Sequence, residues 1–311
     1  MRSGGARPCE PDMNRRAFLM RAGEALLGAG TLAVAWPGRA RSGGRASNVF
    51  EGRDVFDRLV RLAMTEAWSD RPIGERMGAI GMALRQTPYA SGTLERYEDR
   101  EVCSVDLRGL DCVTFYEIAL GFARMLRRVE RTPEALLSEI AFMRYRGGRL
   151  TDYASRLHYT SDWLADNDAK RVVRVVTHEL PGAIRFTKRV DFMSRHPGAY
   201  LQLRNNPALV EKIARTEADI NARPTRYLPK EKVRAAQPLL KTGDIVGVTT
   251  ALDGLDCAHT GLCYRDERGV LRFLHASTTR KEVVLDHELA TYLASVTTHT
   301  GIMVARPLDV A

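Results

Sequence analysis

Cysteine is scarce in this chain, with five residues in 311 and no Cys-x-x-Cys pair. That excludes a small disulfide-built scaffold, and the cysteine and histidine spacings match no structural zinc pattern. The net charge is +9, yet there is no run of five or more basic residues and no interleaving of aromatic with basic residues. Both are expected of a nucleic-acid binder, so none is expected as a partner. No apolar run is long enough for a confident membrane span, and no internal repeat is visible. What remains is a chain of ordinary globular composition, 44% hydrophobic and 27% charged, long enough to bury a substantial core.

The N-terminal 40 residues have a distinct layout. Asn14-Arg15-Arg16-Ala17-Phe18-Leu19-Met20 resembles a twin-arginine export signal, an apolar stretch runs from Ala25 to Trp36, and Pro37-Gly38-Arg39-Ala40 offers a small-residue cleavage site. An ordinary amphipathic helix is the alternative reading. No cysteine closely follows the apolar stretch, so no lipid anchor is expected once the signal is removed, and Met13 is a plausible start. Residues 41–52, rich in Gly, Arg and Ser, read as a flexible lead-in, followed by one catalytic-sized domain over residues 53–311 with a charge spread along it. An exported protein of this kind is expected in the periplasm or outside the cell. Four cysteines lie in that part: Cys103, Cys112, Cys257 and Cys263. A pair among Cys103, Cys257 and Cys263 is open in an oxidising compartment, but Cys257 and Cys263 on one extended strand would be too far apart to bridge each other.

Apolar periodicity predicts helices over 54–67, 72–84, 113–128, 133–143 and 206–221, with a short helix within 153–167. Short strands are expected at 102–107 and 172–177. From Leu240 onward the pattern becomes strands at 245–249, 259–264, 270–275, 282–284 and 301–306, joined in part by turn clusters such as Arg265-Asp266-Glu267-Arg268-Gly269. Helices first and an antiparallel meander later indicate an α+β fold.

The chemistry concentrates at Leu110-Asp111-Cys112-Val113-Thr114-Phe115-Tyr116-Glu117, where a cysteine opens an amphipathic helix. The partial positive charge and unpaired N–H groups of a helix start favour thiolate over thiol. The alternative is a small buried core residue. A cysteine nucleophile needs a base and a group that orients the base. His259, in Asp256-Cys257-Ala258-His259-Thr260-Gly261, and His275, in Phe273-Leu274-His275-Ala276-Ser277, lie on two strands joined by the 265–269 turn. Both imidazoles are then expected on one sheet face, with the cysteine helix packed on that face. Either histidine alone reads more readily as a structural residue, and only the pair with the cysteine favours catalysis; Cys plus two His also reads as a zinc site, although no metal or other cofactor is expected.

These motifs, in order, resemble the NlpC/P60 superfamily of cell-wall cysteine amidases and peptidases: Pro88-Tyr89-Ala90-Ser91-Gly92, Asp111-Cys112-Val113-Thr114, Gly243-Asp244, His259-Thr260-Gly261 and His275-Ala276-Ser277. Within it the chain is similar to the N-acetylmuramoyl-L-alanine amidase-like branch, DUF1460, through Thr87 to Glu95, Asp111 to Glu117 and Ser155-Arg156-Leu157-His158-Tyr159 continuing to Asp162-Trp163. Val113 departs from the superfamily's usual Ser, and about 120 residues separate the cysteine helix from the sheet. The resemblance implies a papain-like fold of N-terminal helices packed on a C-terminal antiparallel sheet, with a large, mostly helical insertion at about 130–235.

It also implies Cys112 as nucleophile, His259 as base and then acid, and His275 as its orienting partner. Tyr89 and the Cys112 N–H are candidates for the oxyanion or the thiolate, and Asp111 for capping the helix. Ser155, Arg156, His158, Tyr159 and Trp163 become candidates for substrate recognition, with Arg156 on a carboxylate and the aromatic rings on sugar faces. The opposing reading makes those rings core and Arg156 a loop anchor. The implied substrate is peptidoglycan or a released muropeptide, cut between N-acetylmuramic acid and L-alanine. A γ-D-glutamyl endopeptidase, a non-catalytic wall-binding module, and an acyltransferase or thioesterase are the alternatives.

Overall fold

The computed structural model describes residues 48–310. Residues 1–40, read above as an export signal, and residues 41–47 of the lead-in lie outside the described residues. Val49–Glu51, at the end of that lead-in, forms a strand (β1) that pairs in parallel with Ser104–Asp106 (β2). β1 lies within the Gly-, Arg- and Ser-rich lead-in, whose pattern does not mark a strand.

The helices begin where capping chemistry permits. α1 (Arg53–Thr65) starts at Gly52, whose φ of 86° turns the chain sharply beneath Leu107. α2 (Ile73–Ala83) follows Pro72. α3 (Cys112–Met125) carries the cysteine as its first residue. α4 (Pro133–Arg144) is capped by the Thr132 side chain, with proline in its first turn. Then come α5 (Thr160–Ala169), the single turn α6 (Phe192–Arg195), α7 (Pro207–Ala222), α8 (Lys230–Ala236) and, late in the chain, α9 (Leu289–Ser295).

The remaining strands are β3 (Val173–Val175), β4 (Ile184–Arg185), β5 (Arg226–Pro229), β6 (Ile245–Thr250), β7 (Cys257–Arg265), β8 (Leu271–Ser277), β9 (Glu282–Glu288) and β10 (His299–Pro307). β6 to β9 form an antiparallel meander, and β10 returns to pair with β6. The sheet order is β4-β5-β10-β6-β7-β8-β9, with β3 also on β10. The fold is α+β, as expected. The segment read as a mostly helical insertion is more closely woven in than that reading implied. It supplies β3 and β5, which cover the outer edge of β10, and β4 beyond β5. An uncovered nine-residue strand would present a row of unpaired backbone groups.

The two sheet faces bury separate apolar clusters. Leu262, Leu274 and Met303 pack with α1–α4, around Phe115, Ile118 and Phe122 of α3. Val248, Cys263, Phe273 and Val304 pack on the opposite side with α8 and α9. A third cluster lies within and beside the inserted segment, around Tyr159, Met193 and Ile213. All four described cysteines are buried and free of disulfides. Cys257 and Cys263 fall in different clusters, on opposite faces of β7. Among the described residues no helix is long and apolar enough to cross a membrane.

Candidate active site

Asp111 fixes the start of α3. Its Oδ1 accepts from the Val113 and Thr114 N–H groups, both at 2.9 Å, and Thr114 Oγ1 accepts from the Asp111 N–H at 2.9 Å. This reciprocal capping box holds the first turn rigid, as expected of Asp111, with Cys112 as its first helical residue. Cys112 is 4% exposed, and its carbonyl accepts a hydrogen bond of 2.8 Å from Thr260 Oγ1 on β7. The cysteine backbone is thereby tied to the residue next to His259.

A β-bulge shapes the start of β7. Val248 pairs with His259 and Thr249 with Cys257, so Ala258 is the extra residue. Bulges re-aim side chains, and here Cys257 turns toward the α3 side while His259 keeps company with Phe273 and Tyr292 on the other. The expectation that α3 packs on the imidazole face is therefore corrected. Its body packs on the alternate face, against Leu262 and Leu274, because those residues and not the histidines offer it an apolar surface. Only the N-terminal end of α3 meets the histidine strand, through the Thr260 bond.

The two imidazoles do share a face. His259 Nε2 and His275 Nδ1 are 2.7 Å apart, and His275 Nε2 lies 3.2 Å from Asp286 Oδ2 on β9. His275 is buried, stacked on Phe273 and backed by Tyr292. The hydrogen bond from His275 holds the Asp286 carboxyl down to about 2, so it is ionised and only accepts. His275 Nε2 must then carry a proton. In neutral His275, Nδ1 is the acceptor, and the proton between the rings belongs to His259 Nε2. In that tautomer His259 Nδ1 is the acceptor nitrogen, the form a general base requires. Gly261 makes the arrangement possible, since a Cβ there would meet the Phe273 ring at 2.7 Å and the His275 Cβ at 2.8 Å.

Asp286 was not legible in the sequence. Strand β9 reads as ending at Val284, because Asp286, His287 and Glu288 break the apolar pattern. In the structure it runs to Glu288, and His275 pairs with Val284, two residues before Asp286. The signal is one of register: a residue two beyond the partner of His275 lies on the same face.

Tyr89 is half-buried. It bridges Leu110 in parallel, and its N–H donates to the Lys281 carbonyl at 2.7 Å, between the approach to Cys112 and the β8–β9 turn. Gly243-Asp244 has a structural role. Gly243, at φ 87°, lies against Gly74 of α2, and Asp244 pairs bidentately with Arg306.

The recognition segment is largely internal. Tyr159 and Trp163 are each 1% exposed, so they do not present a face to sugars. Tyr159 donates to Glu217 at 2.6 Å, and Trp163 Nε1 donates to Glu117 at 3.1 Å. Ser155 caps its own turn, donating to the Asp152 carbonyl at 2.6 Å. Arg156, expected on a substrate carboxylate, is buried between Glu95 (2.7 Å) and Glu101 (3.3 Å), above the Tyr153 ring. Glu95 and Glu101 offset its charge within the protein. His158 is half-buried, with Nε2 2.8 Å from the Tyr153 carbonyl. Arg156 and His158 do line a cavity of about 240 Å³ that also touches Val113, Glu117, Gly92 and Tyr200. This cavity borders the residue after Cys112. Among the described residues no group of three or more His, Cys, Asp or Glu side chains is arranged to hold a metal.

Residues 79–302 match the family described as AmiA-like, N-acetylmuramoyl-L-alanine amidase-like. A solved N-acetylmuramoyl-L-alanine amidase from Bacteroides uniformis ATCC 8492 is 32% identical, with a TM-score of 0.71 over 76% of this chain and 99% of its own. A Bacteroides fragilis protein, provisionally described as a xylanase, is 33% identical, with a TM-score of 0.68 over 73% and 99%. A Legionella pneumophila protein of the DUF1460 family, at 19% identity, TM-score 0.61 and coverage of 83% and 95%, shares the fold. No curated protein matches the sequence. The family match spans most of the described residues and includes Cys112, His259, His275 and Asp286, so the chain belongs to the N-acetylmuramoyl-L-alanine amidase-like family.

Proposed function

We propose that the protein is a cysteine-dependent amidase of papain-like NlpC/P60 type that hydrolyses the amide between N-acetylmuramic acid and L-alanine, in peptidoglycan or released muropeptides. The observation that carries this reading is the hydrogen-bonded chain His259–His275–Asp286, set beside a helix start whose first residue is Cys112. Family membership supports the amidase class and a peptidoglycan substrate. A wall substrate in turn supports a location outside the cytoplasm, and the Arg15-Arg16 pair ahead of the Ala25–Trp36 stretch is the basis for proposing the twin-arginine route to it.

His259 Nδ1 takes the Cys112 proton, and the thiolate attacks the lactyl carbonyl. The resulting oxyanion is held by the Cys112 N–H at the helix start and by the Tyr89 hydroxyl. Collapse expels the L-alanine amine, which leaves with the proton from His259, and a thioester to Cys112 remains. Water, deprotonated by His259, then releases the muramic acid carboxylate. His275 keeps the His259 ring in one tautomer, and Asp286 stabilises the positive charge that the paired rings acquire.

The test is mass spectrometry of muropeptides incubated with purified protein. Free stem peptide together with intact N-acetylmuramic-acid-containing sugar is expected. Sugar still bearing a dipeptide would mean a γ-D-glutamyl endopeptidase, shortened glycan a glycosidase, and binding without products a wall-binding module. Full activity in Cys112→Ala would remove the cysteine mechanism.

A further inference from the structure

A second cavity, of about 570 Å³, lies in the inserted segment. Its lining includes Arg185, Lys188, Arg189 and Arg223 and no acidic residue. Arg223 is paired with Asp162 at 2.6 Å and Arg189 with Asp191 at 2.9 Å. Arg185 and Lys188 have no carboxylate within ion-pair distance among the described residues. Lys188 instead donates to the Thr250 and Leu252 carbonyls, and burial lowers its pKa. Ser161, 5% exposed, also lines the cavity, and its hydroxyl has no hydrogen-bond partner among the described residues. A buried, unpartnered hydroxyl within a cationic cavity is costly unless a ligand completes it.

We propose that this cavity binds free carboxylates of a stem peptide, seating it through Arg185, Arg189 and Ser161. The proposal rests on the amidase reading only for the identity of the ligand. The cations are spread over a space far larger than one phosphate group, which suits several separated carboxylates. Arg185 and Arg189 supply planar donors matched to carboxylate oxygens. The cavity is linked to the end of the sheet that carries His259: Lys188 holds the carbonyls of Thr250, the last residue of β6, and of Leu252, and the Ser161 N–H donates to Asp256, three residues before His259, at 2.7 Å.

The experiment is calorimetric titration of full-length Cys112→Ala protein with a synthetic stem tetrapeptide. The same peptide with its carboxylates amidated, and inorganic phosphate, serve as comparison ligands. The free peptide is expected to bind at least about tenfold more tightly than the amidated one, with the difference shrinking as salt is raised. Arg185→Gln/Arg189→Gln is expected to bring the free peptide to the amidated peptide's affinity without changing the unfolding temperature, since both side chains are exposed. Ser161→Ala, which cannot lose a hydrogen bond that is not there, is expected to weaken the free peptide alone. Equal binding of the two peptides, wild-type affinity in the double variant, or phosphate displacing the peptide at comparable concentration would each overturn the assignment. No step of this titration depends on turnover, so a failure of the amidase reading appears separately, in the muropeptide digests.

Discussion

At the scale of single residues, the four cysteines divide by environment. Burial pushes the Cys103 thiol up to about 11 and Cys263 well above its ordinary value, so neither reacts as a thiolate near neutral pH. Iodoacetamide is expected to modify Cys112 and to leave Cys103 and Cys263 unlabelled in the folded protein. Peptide mass spectrometry reads this directly, and Cys103 labelled before Cys112 would contradict it. Asp286 makes a second expectation. Its carboxyl is held below its ordinary range, so the stabilisation it gives is complete above about pH 4 and is lost as pH falls through about 2. Asp286→Asn is expected to remove roughly 1–2 kcal/mol of stability near neutral pH and to flatten the fall in stability between pH 4 and 2, as read by urea unfolding across pH. It is also expected to lower kcat about ten- to a hundredfold with KM little changed, and to shift the acid limb of the pH–rate profile. An unchanged profile would show that Asp286 does not act through His275.

At the scale of elements, the site depends on how α3 meets β7. The helix body packs on one face of the sheet and the imidazoles lie on the other, so the contact is made at the helix end, by the Thr260 hydroxyl on the Cys112 carbonyl. Thr260→Val keeps the shape and removes the donor. It is expected to cost about 1 kcal/mol of stability, and up to about a hundredfold in kcat if the cysteine shifts by an ångström. Steady-state kinetics set against a thermal melt separates the two. Most of these elements were legible in the sequence. The 3.6-residue stripe of α3, the Asp111 cap and the 265–269 turn between the histidine strands are all local signals, and they came out within a few residues. What the sequence hid was short or mixed in pattern. β1 has three residues, α8 and α9 have seven each, and β9 continues through Asp286-His287-Glu288, where alternation no longer marks a buried face.

At the scale of the whole molecule, the segment read as a recognition loop is part of the internal frame. Glu117 of α3 receives Arg144 Nε at 2.8 Å and Trp163 Nε1 at 3.1 Å, while Arg144 Nη1 donates to the Ser104 carbonyl at 2.6 Å. Glu117 and Arg144 are each 1% exposed, so one network joins α3, α4, α5 and β2. Glu117→Gln leaves a buried guanidinium without its counter-charge and is expected to cost about 3–5 kcal/mol, lowering the melting temperature by on the order of 10 °C. Scanning calorimetry decides this, and a change within one or two degrees would mean that the network relaxes around the loss.

The sequence by itself determined the α+β order of elements, the helix start that presents Cys112, and the pairing of the strands that carry His259 and His275. Each of these follows from local periodicity, capping and turn chemistry, which act over a few residues. Only the tertiary structure decided that Asp286 ends the hydrogen-bonded chain of His259 and His275, that α3 lies on the face away from the imidazoles, and that Arg156, Tyr159 and Trp163 are turned inward. These depend on strand register, on a one-residue bulge at Ala258 and on which distant carboxylate reaches a buried donor, none of which the spacing of residues along the chain encodes.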